Sequence, residues 1–345
     1  MKKNVGIIGA TGYAGEELVR LLLNHPNVNL AAISSVSFEN KMISEIYPAL
    51  KKVCDKVLVN DMKVIEECDV IFASLPHGLS EKYAKMIDKA GKLFIDLGAD
   101  FRLDDVNDYK EWYKLDYNEE ELHKKQVYGL PELNREKIKT ATIIGNPGCY
   151  PTSVALGMYP LMKNNLVDVN TIIVDAKSGA TGAGRGLSQN THYTDLNEAF
   201  APYKIAQHRH TPEIEQTLSN MSGEKVMITF VPHLLPINRG IVSTIYSTSK
   251  CNKTVGELIT LYKEMYKDEP FIRIMDEGNV ANLKNVKYSN FCDISIHDDP
   301  RTKRIIIVAA IDNMVKGAAG QAIQNLNIMM NWTETMGLDI VPPAF

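Results

Sequence analysis

The stretch Asn4-Val5-Gly6-Ile7-Ile8-Gly9-Ala10-Thr11-Gly12-Tyr13-Ala14-Gly15 decides the fold. Asn4 to Ile8 is an apolar run of strand length, and past the glycines Leu18, Val19, Leu22 and Leu23 recur at helical spacing. The segment therefore reads strand, glycine turn, helix. Each glycine has a use there: Gly9 permits a tight turn, Gly12 lets a pyrophosphate approach the backbone, and Gly15 lets helix pack close on strand. Phosphates would meet N–H groups at the start of the helix. The spacing is G-x-x-G-x-x-G instead of G-x-G-x-x-G, and a glycine repeat alone can simply make a loop. Its place directly after a clean strand favours a dinucleotide site.

Working outward, Leu30 to Ile33 is a second strand ending at Ser34-Ser35, where NAD-specific enzymes carry an acid for the ribose 2′-hydroxyl. No acid follows here, and small hydroxyl residues accept a 2′-phosphate, which points to NADP. The bland alternative is that the two serines only begin a loop. Val70 to Ser74 and Leu93 to Asp96 are further apolar strands, with a helix over 80–90 between them. Their C-terminal ends carry Leu75-Pro76-His77-Gly78 and Ala99-Asp100-Phe101-Arg102, and ligands of open α/β sheets bind at such ends. Arg102 suits a bidentate pair with an anionic substrate group, or a structural salt bridge to Asp100 or Asp104. The polar residues 104–125 read as irregular surface with a short helix around Trp112.

The chemistry is expected at Asn146-Pro147-Gly148-Cys149-Tyr150-Pro151-Thr152. A strand over 141–145 precedes it, a helical pattern over 152–162 follows, and Pro151 fits a first helical position. Amide N–H groups and the helix dipole would stabilise a Cys149 thiolate, the nucleophilic form. A lone cysteine otherwise packs as a small hydrophobe.

After this helix the pattern turns to β. Strands are expected over 171–178, 226–232, 241–248, 291–297 and 304–311, with helices near 212–221 and 254–267. This describes an α+β second domain with a large mixed or antiparallel sheet. Its loops hold Ser178-Gly179-Ala180-Thr181-Gly182-Ala183-Gly184-Arg185, an anion cradle or a flexible connector. They also hold His208-Arg209-His210, with Thr211 as N-cap of the next helix. A histidine near a thiol is the usual acid/base partner. Asp312-Asn313-Met314-Val315-Lys316-Gly317-Ala318-Ala319-Gly320 opens a last helix that packs back on the first domain.

The 345 residues suffice for two domains. With 45% hydrophobic and 23% charged residues and a net charge of −4, the composition is that of a globular protein without a polyelectrolyte surface, so nucleic acid is not expected as a partner. The five cysteines form no C-x-x-C pair and no structural-zinc spacing, so no metal is expected and a reducing compartment is. No apolar run approaches the roughly 18 residues of a membrane span. These readings together place the protein in the cytoplasm.

Taken together, the glycine turn, A-D-F-R-L (99–103), N-P-G-C-Y-P-T (146–152), S-G-A-T-G-A-G-R (178–185), H-R-H-T-P-E-I (208–214) and D-N-M-V-K-G-A-A-G-Q-A (312–322) resemble the N-acetyl-γ-glutamyl-phosphate reductase family over essentially the whole chain. The turn and the architecture are shared with aspartate-semialdehyde dehydrogenases. The resemblance implies an α/β protein in which a Rossmann-like NADP-binding domain (1–148 and 313–345) is interrupted by a catalytic and oligomerisation domain (149–312). It implies a homodimer or homotetramer built through the second sheet, and an acyl phosphate substrate reduced with NADPH through a Cys149 thioester in arginine biosynthesis. The acid/base falls on His210, with His208 as the alternative. Arg102 is the implied phosphate ligand, and Arg185 and Arg209 are further candidates for substrate anions. The cofactor set is Gly9, Thr11, Gly12, Tyr13, Ala14, Gly15, Ser34, Ser35, Pro76, Gly179 and Asn313. Two rivals accompany this reading: the same chemistry on aspartyl or carrier-bound aminoadipyl phosphate, and a non-catalytic NADP-binding sensor with a buried Cys149.

Overall fold

In the computed structural model, which describes residues 2–344, the chain forms two compact units, Met1–Pro147 with Ala318–Asp339 and Gly148–Gly317 with Ile340–Phe345.

The first unit is built on strands Lys3–Ile8 (β1), Val28–Ser34 (β2), Val70–Ala73 (β3), Leu93–Asp96 (β4), Gln126–Tyr128 (β5) and Ile143–Gly145 (β6). All pair in parallel, in the order β2-β1-β3-β4-β6-β5. Helices on a parallel sheet bury its strands, which is why Val70–Ala73 is buried at every position and reads as a continuous apolar run. The order reverses between β1 and β3, and Ile8 pairs with Ala73 there. Ligands of open α/β sheets bind at such a reversal.

Residues 104–125 hold the short helix expected around Trp112 and a second one where irregular surface was expected. The two are Val106–Tyr113 and Glu120–Lys125. Asp105 caps the first by accepting from the Asn107 N–H at 2.7 Å, and Tyr109 and Tyr113 bury one face. Stacked rings of Tyr109, Tyr117, His123 and Phe101 carry the packing, which a polar composition conceals. The edge strand β5, three half-exposed residues, gives too short a pattern to be read from sequence.

The second unit holds strands Val167–Ser178 (β7), Ala201–Pro202 (β8), Thr229–Leu234 (β9), Ile241–Ser249 (β10), Ile272–Ile274 (β11), Cys292–Asp299 (β12) and Arg304–Ile311 (β13), ordered β11-β12-β13-β10-β7-β9-β8. β7 pairs parallel with β9 and β11 with β12, and the other ladders are antiparallel, so the sheet is mixed.

The helix that packs on this sheet begins earlier than expected. It runs Cys149–Lys163, with Gly148 as N-cap and Pro151 in its third position. Proline is tolerated there because the first amides of a helix lack internal acceptors. Nearly every residue of the helix is buried, and Gly157 fits among Ile245, Ile307 and Ala309. Pro160 lies inside it and has no N–H for the Leu156 carbonyl. Tyr266 supplies the missing donor, its hydroxyl meeting that carbonyl at 2.6 Å, and the Tyr262 hydroxyl donates to the Gly157 carbonyl at 2.7 Å. These phenols come from the helix Val255–Met265 and its C-cap.

The histidine-led helix is Thr211–Ser222, with His210 as its N-cap where Thr211 was expected. At the end of β13 the chain passes through a π-turn, Val315–Ala319, into the helix Gly320–Met329. Asp312 and Asn313 are hydrogen-bonded within the second unit, and the chain rejoins the first at Ala318, later than residue 313. Within the first unit, Gln321 and Asn325 of that last helix donate to the Gly129 carbonyl at 3.0 and 2.8 Å.

Candidate active site

In the first unit, the three glycines of the opening turn meet three different demands. Gly9 has φ +85°, and a Cβ there would stand 2.3 Å from the Ser74 carbonyl oxygen, so only glycine closes the turn. At Gly15 a Cβ would stand 2.2 Å from the Gly9 carbonyl oxygen, which is the close approach of helix to strand. Gly12 is open, its nearest neighbour 3.7 Å from where a Cβ would be. The helix Tyr13–Leu22 makes its first internal bond at Glu16, whose N–H donates to the Gly12 carbonyl at 2.8 Å. The amides of Tyr13, Ala14 and Gly15 precede that bond and point to an anion's position. Open glycine and leading amides fit a pyrophosphate.

At the end of β2, Ser34 is fully buried and its hydroxyl donates to the Asp61 carboxylate at 2.5 Å. The Tyr83 hydroxyl takes the other oxygen at 2.5 Å, and burial with that carboxylate pushes the phenol up to about 12. Ser35 shares a 2.7 Å hydrogen bond with Thr11, which joins this strand end to the glycine turn. An acid does stand at the second strand's end; it comes from the start of the helix Asp61–Glu67.

The loop after β3 is held by a buried carboxylate. Asp100 accepts from the Gly78 and Ser80 N–H groups at 2.7 and 2.9 Å and from the Tyr109 hydroxyl at 2.8 Å. Pro76 is exposed on this loop, and His77 accepts from the Ala99 N–H at 3.2 Å. Asp96 accepts from the Ser80 hydroxyl at 2.7 Å and the Gly98 N–H at 2.9 Å. Burial first, and then the Asp100 charge, push its carboxyl up to about 7. Arg102, 6% exposed, donates from Nε to the Asn146 carbonyl and from Nη2 to the Leu97 carbonyl, both at 2.8 Å. It thus buckles together the ends of β4 and β6.

In the second unit, Cys149 is the first residue of its helix, half-buried, just past the N-cap Gly148. The Gly148 N–H donates to the fully buried Glu213 carboxylate at 2.7 Å. Glu213 lies in the first turn of the helix that His210 caps, so one bond ties the cysteine turn to the histidine turn. The Tyr150 ring lies edge-on to both histidines, 5.5 Å from His208 and 6.0 Å from His210.

The two histidines are not equivalent. His208 accepts from the His210 N–H at Nδ1, 3.1 Å away. A backbone N–H only donates, so Nδ1 is bare and the neutral ring carries its proton on Nε2, facing the Tyr203 hydroxyl at 3.5 Å. Burial, with Lys204 and Arg209 adding to it, pushes this imidazole down to about 3. Tyr203 continues to the Tyr150 hydroxyl at 3.2 Å, and burial pushes Tyr203 up to about 12.

The glycine-rich loop is partly built in. The Gly179, Ala180 and Thr181 N–H groups donate to Gly240, Ile237 and Asn238 carbonyls at 2.9, 2.8 and 3.0 Å. Asn313 accepts from the Gly240 N–H at 2.6 Å and donates to the Thr181 hydroxyl at 3.0 Å, which brings the candidates Gly179 and Asn313 into one cluster. Arg185 lies beyond, exposed, and Arg209 is half-buried beside His208. His233 sits elsewhere, 3.2 Å from Asp175 on the sheet.

The family model described as semialdehyde dehydrogenase, NAD binding domain, matches residues 4–141, and the semialdehyde dehydrogenase dimerisation domain matches residues 149–313. The chain is 57% identical to an N-acetyl-gamma-glutamyl-phosphate reductase of Brachyspira hyodysenteriae over 99% of both chains. It is 54% identical to one of Clostridium beijerinckii, again over 99% of both. The chain belongs to the N-acetyl-gamma-glutamyl-phosphate reductase family. Among solved structures it shares the fold of aspartate semialdehyde dehydrogenase II from Vibrio cholerae, with TM-score 0.74 and 17% identity over 96% of this chain and 99% of that one. Aspartate semialdehyde dehydrogenase with NADP from Candida albicans matches at TM-score 0.70 and 16% identity, over 96% of this chain and 99% of that one. The residues that match the NAD binding domain, 4–141, include the opening glycine turn.

Sequence reasoning missed Asp61, Glu213 and Tyr203 in this member of the N-acetyl-gamma-glutamyl-phosphate reductase family. Glu213 stood in view, within the stretch around the histidines, and an acid in a helix's first turn has an ordinary explanation in the dipole. Its bond to Gly148 spans 65 residues.

Proposed function

We propose that this chain catalyses the NADPH-dependent reduction of N-acetyl-γ-glutamyl phosphate to N-acetyl-L-glutamate 5-semialdehyde and phosphate, a step of arginine biosynthesis. The observation that carries the reading is the 2.7 Å bond from Gly148 to Glu213, which joins a thiol on the first turn of a helix to a histidine turn. The relatives named for this reaction, at 57 and 54% identity, support the choice of substrate.

Cys149 acts as nucleophile. His210 takes its proton, the thiolate attacks the acyl carbon, and the bond from that carbon to the phosphate oxygen breaks, leaving a thioester on Cys149. Bound NADPH supplies the hydride that reduces the thioester. The oxyanion left by hydride addition re-forms the carbonyl of the aldehyde as the carbon–sulfur bond breaks, and His210 returns its proton to the departing Cys149 sulfur. His208, held neutral with its Nδ1 occupied by its own turn, orients His210 and is not the acid/base. Gly9, Thr11, Gly12, Tyr13, Ala14 and Gly15 would hold the pyrophosphate, with Ser34 and Ser35 at the ribose end; Pro76, Gly179 and Asn313 are the further cofactor candidates. Arg185 and Arg209 would meet the substrate's anionic groups. Arg102 is the candidate for the phosphate, with Nε and Nη2 also held by the Asn146 and Leu97 carbonyls.

We assign a homodimer or homotetramer, built on the second sheet's face that carries Ile173, Val231, Tyr246 and Ile306. These residues are half-buried or exposed while their strand neighbours are buried. No disulfide joins the five cysteines among the described residues, and no helix among them is long and apolar enough to cross a membrane. We propose a cytoplasmic location.

The test is the phosphate-dependent reverse reaction. N-acetylglutamate semialdehyde with NADP should exceed aspartate semialdehyde by at least ~10³ in kcat/KM, because the latter buries an unpaired ammonium. Cys149→Ser should fold and lose turnover by orders of magnitude. Comparable rates on the two aldehydes would overturn the substrate, and a serine variant keeping more than about a tenth of wild-type activity would overturn the covalent mechanism.

A further inference from the structure

Asp312 is a fully buried carboxylate that gathers donors from three segments of the second unit. Arg239 approaches it from Nε and Nη2, both at 3.1 Å. The Met314 and Val315 N–H groups donate to it at 2.8 and 3.2 Å, and the Tyr288 N–H at 2.6 Å. Its main-chain carbonyl accepts the Gly317 N–H at 3.0 Å, the bond that closes the π-turn. The guanidinium is further fixed over the Tyr288 ring, 4.6 Å from its centre. Short π segments interrupt helices at a cost, and this one is specified by the side chain and the main chain of a single residue.

The turn so built ends against the nucleophile. A Cβ added to Gly317 would stand 2.8 Å from the Cys149 Cβ and 3.2 Å from its Cα. Gly317 is therefore a wall on which the cysteine residue rests, and Asp312 holds the wall. The neighbouring Asn313 ties the same loop, through Gly240, to the 179–181 turn.

We propose that Arg239 and Asp312 form a positioning pair that sets the placement of the Cys149 thiol by holding Gly317 against it. The pair is assigned to act on the thiol through Gly317. The inference rests on Cys149 being the nucleophile, yet its principal readout, alkylation of the thiol, does not need that reaction.

The experiment compares Arg239→Lys and Gly317→Ala with wild type in the full-length protein. Arg239→Lys keeps the charge and loses the two-nitrogen fork. Gly317→Ala leaves the pair intact and presses a methyl on Cys149. Three quantities are measured: the pH profile of Cys149 alkylation by iodoacetamide, the split of kcat and KM, and thermal stability. Both variants should change the alkylation rate at neutral pH by at least ~5-fold. Both should lower kcat by ~10- to 100-fold, the scale of a small misplacement of a reacting group, with the KM for NADPH within about twofold of wild type. A merely structural pair would lower the melting temperature of Arg239→Lys and leave alkylation and kcat per folded molecule unchanged, which overturns the proposal. If Arg239→Lys does not fold, Gly317→Ala decides alone: wild-type alkylation and kcat overturn it. Altered alkylation in variants of a protein whose Cys149→Ser form remains active would uphold the positioning and sink the covalent mechanism instead.

Discussion

Glu213 accepts a hydrogen bond from the Gly148 N–H at 2.7 Å, and both partners are removed from bulk solvent, the carboxylate completely. Replacing it with alanine strands a buried backbone donor, at about 1–3 kcal/mol, and frees the cysteine turn from the histidine turn. Glu213→Ala should therefore lower kcat by about 10², while Glu213→Gln, which keeps the acceptor oxygen, should retain most of it. Equal turnover in the alanine variant and wild type would show that the bond has no part in the chemistry.

The inequivalence of the two histidines gives a second test. His210→Asn should cost about 10² to 10⁴ in turnover, the span for a lost proton donor. His208→Asn should cost less, because an amide oxygen can replace Nδ1 as acceptor for the His210 N–H. A pH–rate profile of the His208 variant should keep the wild-type limbs. Reversed sizes of the two losses would transfer the acid/base role to His208.

The carboxylate of Asp61, bonded to Ser34 at 2.5 Å, bears on the choice between NADPH and NADH. If the 2′-phosphate lies at this strand end, a nearby negative charge opposes it. Wild type should still prefer NADPH, and Asp61→Asn should raise the NADPH to NADH ratio of kcat/KM by up to about tenfold, roughly 1.4 kcal/mol. A ratio that is unchanged or falls would place the 2′-position elsewhere. Ser34 is fully buried and bonded to that carboxylate, so an acid introduced at Ser34 would disrupt folding before it tested specificity.

Asp96 predicts a pH dependence of stability. Its folded carboxyl is pushed up to about 7 by burial and by Asp100, above its ordinary value of 3.8. Between these values the folded state holds a proton that the unfolded state has released, so stability falls as pH rises through this window. Denaturant midpoints at pH 5 and pH 8 should show wild type losing stability relative to Asp96→Asn, which keeps an acceptor for Ser80 and Gly98. Parallel curves for the two proteins would mean that Asp96 ionises without penalty.

The glycine turn, most strands and the position of the thiol were legible because each is specified by residues within one or two turns of each other. Gly9 and Gly15 are fixed by backbone approaches that no other residue permits, and apolar runs such as Val70–Ala73 follow from burial on both faces. What stayed hidden depends on partners distant in the chain. Asp61 reaches Ser34 across 27 residues, and nothing in the local pattern marks it as the acid at the strand end. The helix start slipped by two residues from the expected Pro151 to Cys149 because proline fits any position of a first turn. Of the two helices in residues 104–125, the one around Trp112 was legible, and Glu120–Lys125 was masked by polar residues whose aromatic neighbours bury only after they stack.

The proline at 160 has a consequence for the order in which the protein can be made. The Leu156 carbonyl bond that Pro160 cannot supply comes from Tyr266, 110 residues later, and Tyr262 serves Gly157 across 105. A chain emerging during synthesis carries Cys149 long before it carries these phenols. The cysteine helix thus stays incompletely bonded until the 255–266 segment has been translated, so the thiol acquires its final support late in the life of the nascent chain.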